Sequence, residues 1–330
     1  MTFRTTAKWL GVGLYYAEPW EEFLLKAVKP YTDVVVHSGV VDSFFFERSW
    51  ERGPNIRLWF KGKPYILAKM LSPNLQEHFQ QYFESRPSLV NPPNYPKGFP
   101  EEYKWLPNNS VQYLDGFPGE NHPTGQLSWS WLEKQYEASS LLILNNIKEK
   151  GLRWTYNEMI STAIKIHLAF AYAMGMDLEE ANHFFNFLAD NWFITKYPNQ
   201  LEDQKATQQS FRKIFNLQRK DTVPYHLALW ELFRNYESLE DPWLVKWIKT
   251  NNETSIELNF ALENQQIPVK RQLFDDPGYP RAWEYYESLV KLTNNRLGLY
   301  NKNEGFLLFI MAESLKAAVS SSKLRTRISA

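Results

Sequence analysis

Arg48, Arg52 and Arg57 fall within ten positions of one another in FFFERSWERGPNIRLWF, set among large aromatics. A guanidinium is poor material for a plain core, because it is buried only against carboxylate or carbonyl partners. The chemistry on offer is therefore a grip on a carboxylate or on a carbonyl-rich chain. Along Asn55–Phe60 a period of two puts Ile56, Leu58 and Phe60 on one face and Arg57 with Trp59 on the other. Along Lys8–Tyr16, Leu10, Val12 and Leu14 oppose Gly11, Gly13 and Tyr15. A sheet face lacking two side chains, beside an arginine and aromatics, would form a trough shaped for extended polypeptide. Two readings of Arg57 stand at this point. It pairs with Glu18, Glu47 or Glu51 and holds the sheet edge, or it contacts substrate. Tyr15, Tyr16, Glu18 and Trp20 either line the mouth of such a site or pack a strand-to-helix junction.

The elements that must hold these residues mix strands and helices in the first third. Strands are expected at 8–16, 43–48, 55–60 and 110–115, the middle two joined antiparallel through Gly53-Pro54. Pro19 suits a helix start and Pro30 is expected to end that helix; 64–84 reads as a second one. The proline-rich 87–109 reads as an extended crossing segment. Helices are then expected at 128–149, 155–175, 178–194, 202–216, 225–237, 241–250, 254–265, 279–298 and 303–320, with Asp177 and Glu180 as a capping box. The fold class is α+β: a mostly antiparallel sheet from the N-terminal third, packed with a large helical C-terminal portion. Residues 1–320 read as a single domain, sheet-rich over 1–125 and helical over 126–320, with 321–330 as a flexible tail.

Bulk properties exclude several functions. At 330 residues the chain is long enough for a large core, and 13 Trp and 22 Phe supply it. Lys+Arg and Asp+Glu balance at 37 each, leaving no global field to draw in a polyanion, so no direct nucleic-acid partner is expected. The absence of cysteine removes disulfides, thiolate metal sites and thiol catalysis. No metal-ligand spacing, Walker A, dinucleotide glycine pattern or Gly-x-Ser-x-Gly occurs, so neither cofactor nor metal is expected. The start lacks a secretory apolar run, and 160–176 is interrupted by Lys165 and His167; a soluble cytoplasmic protein without a membrane partner is expected. His167 and His183 read as hydrogen-bonded core histidines rather than functional ones.

The wording resembles the thiopeptide-type bacteriocin biosynthesis proteins, whose fold recurs as the C-terminal elimination domain of lantibiotic dehydratases. That family reads YAEPW near its start, as here at Tyr16–Trp20, then FF-x-RYWE-x-GPHIRLRF, from which this chain departs at Ser49, Asn55 and Trp59. QYEASSLLIL and IKIHLAFAYAMGM match two family helices. The resemblance implies that Arg57 is one of two arginines gripping a departing glutamyl ester, the second being replaced by Trp59. The family's EPEIERYGG is here GFPGENHPTG, which places His122 near a lost arginine and Asn121 near a lost glutamate. The family's HM-x-x-NRL is here Lys291-Leu-Thr-Asn-Asn295-Arg296-Leu297, so lysine stands at the histidine position. The resemblance thus implies Arg57, His122 and Lys291 as catalytic candidates. Tyr15, Tyr16, Glu18, Arg48, Trp59, Asn295 and Arg296 are the substrate-binding candidates.

Eliminating glutamate needs a base for the α-proton and cationic help for the leaving carboxylate, and these replacements weaken both. Three expectations remain open. One is a pyridine-synthase-like [4+2] cyclase that acts on a dehydroamino-acid-containing precursor peptide, with release of its leader. Another is a stand-alone glutamate-elimination lyase served by a separate tRNA-dependent glutamylation protein. The last is a non-catalytic precursor-binding protein.

Overall fold

The structure is a computed structural model that describes residues 8–115, 129–267 and 280–328. The chain divides into two compact units, Met1–Trp154 and Thr155–Ala330. It is α+β: one antiparallel sheet near the N-terminus and many helices.

Unit 1 is built on β1 (Lys8–Tyr15), β2 (Ser43–Ser49), β3 (Asn55–Gly62) and β4 (Ser110–Leu114), in the order β2-β3-β1-β4. Gly11 pairs with Trp59 and Gly13 with Arg57 across β1–β3, while Glu47 faces Arg57 across β2–β3. The sheet therefore has two unlike faces. One carries Leu10, Val12, Leu14, Phe44, Phe46, Ile56, Leu58 and Phe60; all but Leu10 are fully or almost fully buried. Phe23, Tyr31, Phe79 and Phe83 come from the helices that cover it. Full burial of such side chains stabilises by about 1.5–3 kcal/mol each, so this layer is the core of unit 1.

The first of those helices differs from expectation at its proline. The helix begun by α1 (Trp20–Phe23) does not end at Pro30. It passes through a π turn, Leu24–Val28, into α2 (Lys29–His37). A second π turn, Leu67–Leu71, joins α3 (Pro64–Ile66) to α4 (Ser72–Ser85), just ahead of Pro73. Proline lacks the N–H for the usual bond and its ring collides with the carbonyl four residues back. The wider turn hands Lys29 N–H to Leu24 O and Ser72 N–H to Leu67 O, so the helix continues past each proline.

The proline-rich 87–109 is irregular apart from one short turn of 3-10 helix at Glu101–Tyr103. The helix α5 (Trp129–Lys150) belongs to unit 1. Its Ser140 Oγ accepts a bond from Phe46 N–H on edge strand β2 (3.1 Å), which blunts an otherwise open edge.

Unit 2 is helical among its described residues: α6 (Tyr156–Ala173), α7 (Leu178–Lys196), α8 (Leu201–Phe233), α9 (Pro242–Glu263), α10 (Trp283–Leu297) and α11 (Lys302–Ile328). Asp177 and Glu180 form the expected capping box at the start of α7. Two expected breaks are absent. The segments 202–216 and 225–237 merge in α8 despite Pro224, and 241–250 with 254–265 merge in α9. In α9 the polar run is absorbed by back-bonding, Asn251 Nδ2 to Trp247 O (2.7 Å) and Thr254 Oγ1 to Thr250 O (2.8 Å). The C-terminal helix runs to Ile328, well into the stretch expected to be a tail. His183 is exposed, because the neighbouring Phe184 and Phe185 take the buried side of α7. No helix among the described residues is long and apolar enough to cross a membrane.

Candidate functional site

The second face of the sheet gathers Tyr15, Arg57 and Trp59 with Gly11, Gly13, Glu47 and Gln112, because all occupy matching register positions. It is not the empty trough that two glycines suggest. A Cβ at Gly11 would lie 2.3 Å from the Trp59 ring, so the indole already occupies that space. Over Gly13 the nearest group is the Tyr15 ring, 3.0 Å from where a Cβ would stand. Phe45 stacks near Trp59 at 6.2 Å between centroids and meets Tyr136 of α5 edge-on at 5.2 Å. The floor of this face is thus aromatic and filled.

Arg57 rises beside it. Its guanidinium hydrogen-bonds the Glu51 carboxylate and lies 3.9 Å from Glu47, the residue opposite on β2. The bond from Arg57 holds Glu51 below the usual carboxylate range. The side chain of Arg57 keeps 20% of its surface open, whereas that of Glu51 is 71% open. Burial pushes the Tyr15 phenol up, opposed by the positive charges of Arg57 and Arg52, and its hydroxyl donates to Glu51 O (3.3 Å). Of the two readings of Arg57, pairing with Glu47 and Glu51 is what the geometry shows, on an inner strand rather than at the sheet edge.

The other candidates in unit 1 lie elsewhere. Arg48 is on the core face, 3% exposed, bonded to Glu21 (2.8 Å) with its guanidinium 5.6 Å from the Trp20 ring. Tyr16 is buried between Phe23 and Phe83, at 4.7 and 5.7 Å. Glu18 is exposed and precedes a cis bond to Pro19. His122 and Asn121 lie outside the described residues.

In unit 2, Lys291 is half-exposed and paired with Glu287 (2.7 Å), one turn earlier on α10. Asn295 is half-buried and Arg296 fully buried, its Nη1 donating to Leu292 O (3.3 Å). The helix ends on Gly298 with φ 86°, where Leu299 N–H returns to Asn294 O (2.8 Å). That stop turns the chain so that α11 begins with Glu304 beside Asn294. Asn294 Nδ2 donates to Glu304 (3.1 Å), and its Oδ1 meets His167 Nε2 at 2.7 Å. His167 is fully buried, as expected, and burial lowers its pKa to about 4. Sequence reading passed over Asn294 and Glu304; the one signal was their nearness to the NRL wording.

With this geometry in hand, the sequence matches the family described as lantibiotic biosynthesis dehydratase C-term over residues 9–315. The chain belongs to that family. Among solved structures, the lantibiotic dehydratase C-terminal fold of this chain is similar to a pyridine synthase, TbtD, from thiomuracin biosynthesis. The TM-score is 0.75 at 18% identity, over 94% of this chain and 98% of that one. It is also similar to TsrL, at TM-score 0.63 and 15% identity, over 95% of each chain. The tRNA-dependent lantibiotic dehydratase MibB from Microbispora sp. 107891 matches at TM-score 0.57 and 15% identity, over 95% of this chain but 28% of that one. A comparison with curated proteins returned no match. Identities this low speak for the fold of the family and not for a shared reaction.

Proposed function

We propose that this protein matures a ribosomally made modified peptide, acting as a pyridine-synthase-like cyclase on a precursor that already carries dehydroamino acids. The observation that carries this reading is the state of Arg57. Its charge is met by Glu47 and Glu51, and Trp59 stands where the family wording has a second arginine. A departing glutamate carboxylate needs uncommitted positive charge, and among the described residues Arg57 on this face is already paired. A [4+2] closure between two dehydroalanines demands mainly that the reacting ends be held together, a contribution worth roughly 7–11 kcal/mol in favourable models. An aromatic floor with a polar wall of Tyr15 and Arg57 suits that task. The extent of the likeness to TbtD, nearly complete for both chains, supports a stand-alone enzyme of that kind.

On this reading the partner is the precursor peptide, leader and core. A separate tRNA-dependent glutamylation protein acts upstream to install the dehydroamino acids, and the site of action is the cytoplasm. The test is to incubate the protein with dehydrated and with glutamylated precursor and to follow masses. Ring formation with leader release from the dehydrated peptide is the expected result. Loss of glutamate from the glutamylated peptide would replace this reading by elimination. Tight binding without any mass change would leave a precursor-binding protein.

A further inference from the structure

Where α6 stops, unit 2 leaves a cavity of about 170 Å³. Gly175, with φ 81°, makes the stop, and Met176 N–H returns to Ala171 O (3.2 Å). This turn sets Met174 and Met176 on the cavity wall, and α10 adds Trp283 and Tyr286; all four are buried. Glu180 of α7 and Asn259 of α9 also line the cavity but are exposed, so they stand at its mouth. A Cβ placed on Gly175 would meet nothing within 4 Å, which marks the open side. An apolar cavity of about 150 Å³ holds a benzene-sized ring, so this one has room for one side-chain head or a small organic ion.

Hydrogen bonding decides what that room accepts. Ser255 Oγ lies 3.3 Å from Met174 O, which only accepts, so the single serine proton is used there. The Tyr286 hydroxyl, 3.2 Å from Ser255 Oγ, is therefore the donor in that contact, and its lone pairs are left for a ligand. For the same reason Asn259 turns its NH2 toward Ser255 (3.4 Å) and keeps Oδ1 available. Glu180 accepts from Asp177 N–H at one oxygen (3.1 Å), and its second makes no hydrogen bond among the described residues. The first N–H groups of α7 are not offered to an anion, because Asp177 Oδ1 accepts from Glu179 and Glu180 N–H (both 2.8 Å). Arg281, between the lining Pro280 and Ala282, is exposed and forms no part of the wall. Acceptors, a carboxylate and two aromatic rings remain, and that set suits an organic cation.

We infer that this cavity binds a guanidinium group carried on an alkyl stem, with the head at Glu180 and Asn259 and the stem against Met174, Met176 and the two rings. Guanidinium is favoured over ammonium because it is more weakly hydrated and its plane lies well on an aromatic face. The polarizable thioethers adapt to the stem. The group arrives free, as a small guanidine, or as the arginine side chain of a peptide. The site goes beyond the cyclase reading and stands or falls without it, since binding needs no turnover.

The test is isothermal titration of the full chain with ethylguanidinium chloride and with the peptide mimic N-acetyl-arginine amide. Saturable binding to one site at millimolar concentration is expected, weakening as salt rises. N-acetyl-norleucine amide, an uncharged stem, should not bind. Glu180→Gln keeps the capping-box bond to Asp177 N–H and removes the charge. It should weaken binding about tenfold or more with the thermal midpoint unchanged. Asn259→Asp, at an exposed position, adds a second carboxylate and should tighten binding, which a merely structural residue would not do. Equal affinity for both probes assigns the site to a free guanidine, and tighter binding of the mimic assigns it to a peptide arginine. Failure of both probes to bind overturns the inference. So does norleucine binding as tightly as arginine, or Glu180→Gln binding like the wild type.

Discussion

The Trp59 ring lies where any side chain at Gly11 would have to go, 2.3 Å from an ideal Cβ. The two residues face each other across β1 and β3, so the glycine is there for the indole and the indole for the glycine. Overpacking of this kind costs about 1–3 kcal/mol. Gly11→Ala is therefore expected to lower the thermal midpoint, and Trp59→Leu in the same chain to recover most of the loss. A double-mutant cycle with strictly additive effects would show that the contact carries no energy.

Arg57 belongs to a part-exposed ion pair, which is worth about 0.2–1 kcal/mol to the fold. Arg57→Met should thus leave the urea midpoint almost unchanged. If Arg57 wall contacts orient the precursor, the same change should cut product formation by about tenfold or more, since a misplaced reactant loses near-attack geometry. Full activity in Arg57→Met would reduce Arg57 to the sheet-holding role.

Arg48 predicts the opposite pattern. It is buried against Glu21 and Trp20 on the core face. Arg48→Ala removes a charge-assisted bond and its packing, so a loss of about 2–4 kcal/mol in stability is expected. Activity per folded molecule should survive, read by titrating the folded fraction alongside turnover.

Acid should loosen unit 2 through two histidines. Burial lowers both His167 and His226 from the ordinary 6.5 to about 4, and neither ring nitrogen of His226 has a hydrogen-bond partner among the described residues. The unfolded chain binds protons first as pH falls, so stability is full above about pH 6.5 and drains away toward pH 4. Each histidine contributes roughly 3 kcal/mol to that slope. His226→Leu should flatten it, raising the thermal midpoint at pH 5 more than at pH 7.5. An equal shift at both values would mean that His226 titrates normally in the folded chain.

Much of the fold was legible where a pattern repeats within one segment. The glycine and leucine alternation of Lys8–Tyr15 and the Asp177–Glu180 cap emerged at their expected places. The failures have a common cause: signals that stop a helix only if nothing absorbs them. Pro30 follows a π turn, which no residue type announces. The joint of α8 spans a charged stretch with Leu217 80% exposed, so no apolar stripe marks it as helix. On β2 the run Phe44-Phe45-Phe46 is apolar on both faces, which hides the fact that Arg48 shares its side with the core and Glu47 shares its side with Arg57.

The chain by itself determined its family, its strands and the parity that sets Arg57 beside Trp59, because those depend on neighbours along the backbone. Tertiary structure alone decided that Glu47 and Glu51 meet Arg57's charge and that Trp59 fills the gap over Gly11. It also alone joined His167 to Asn294 across 127 positions and Asn294 to Glu304 across 10. Charge neutralisation and hydrogen bonding act through space at a few ångströms, and sequence distance carries no measure of that.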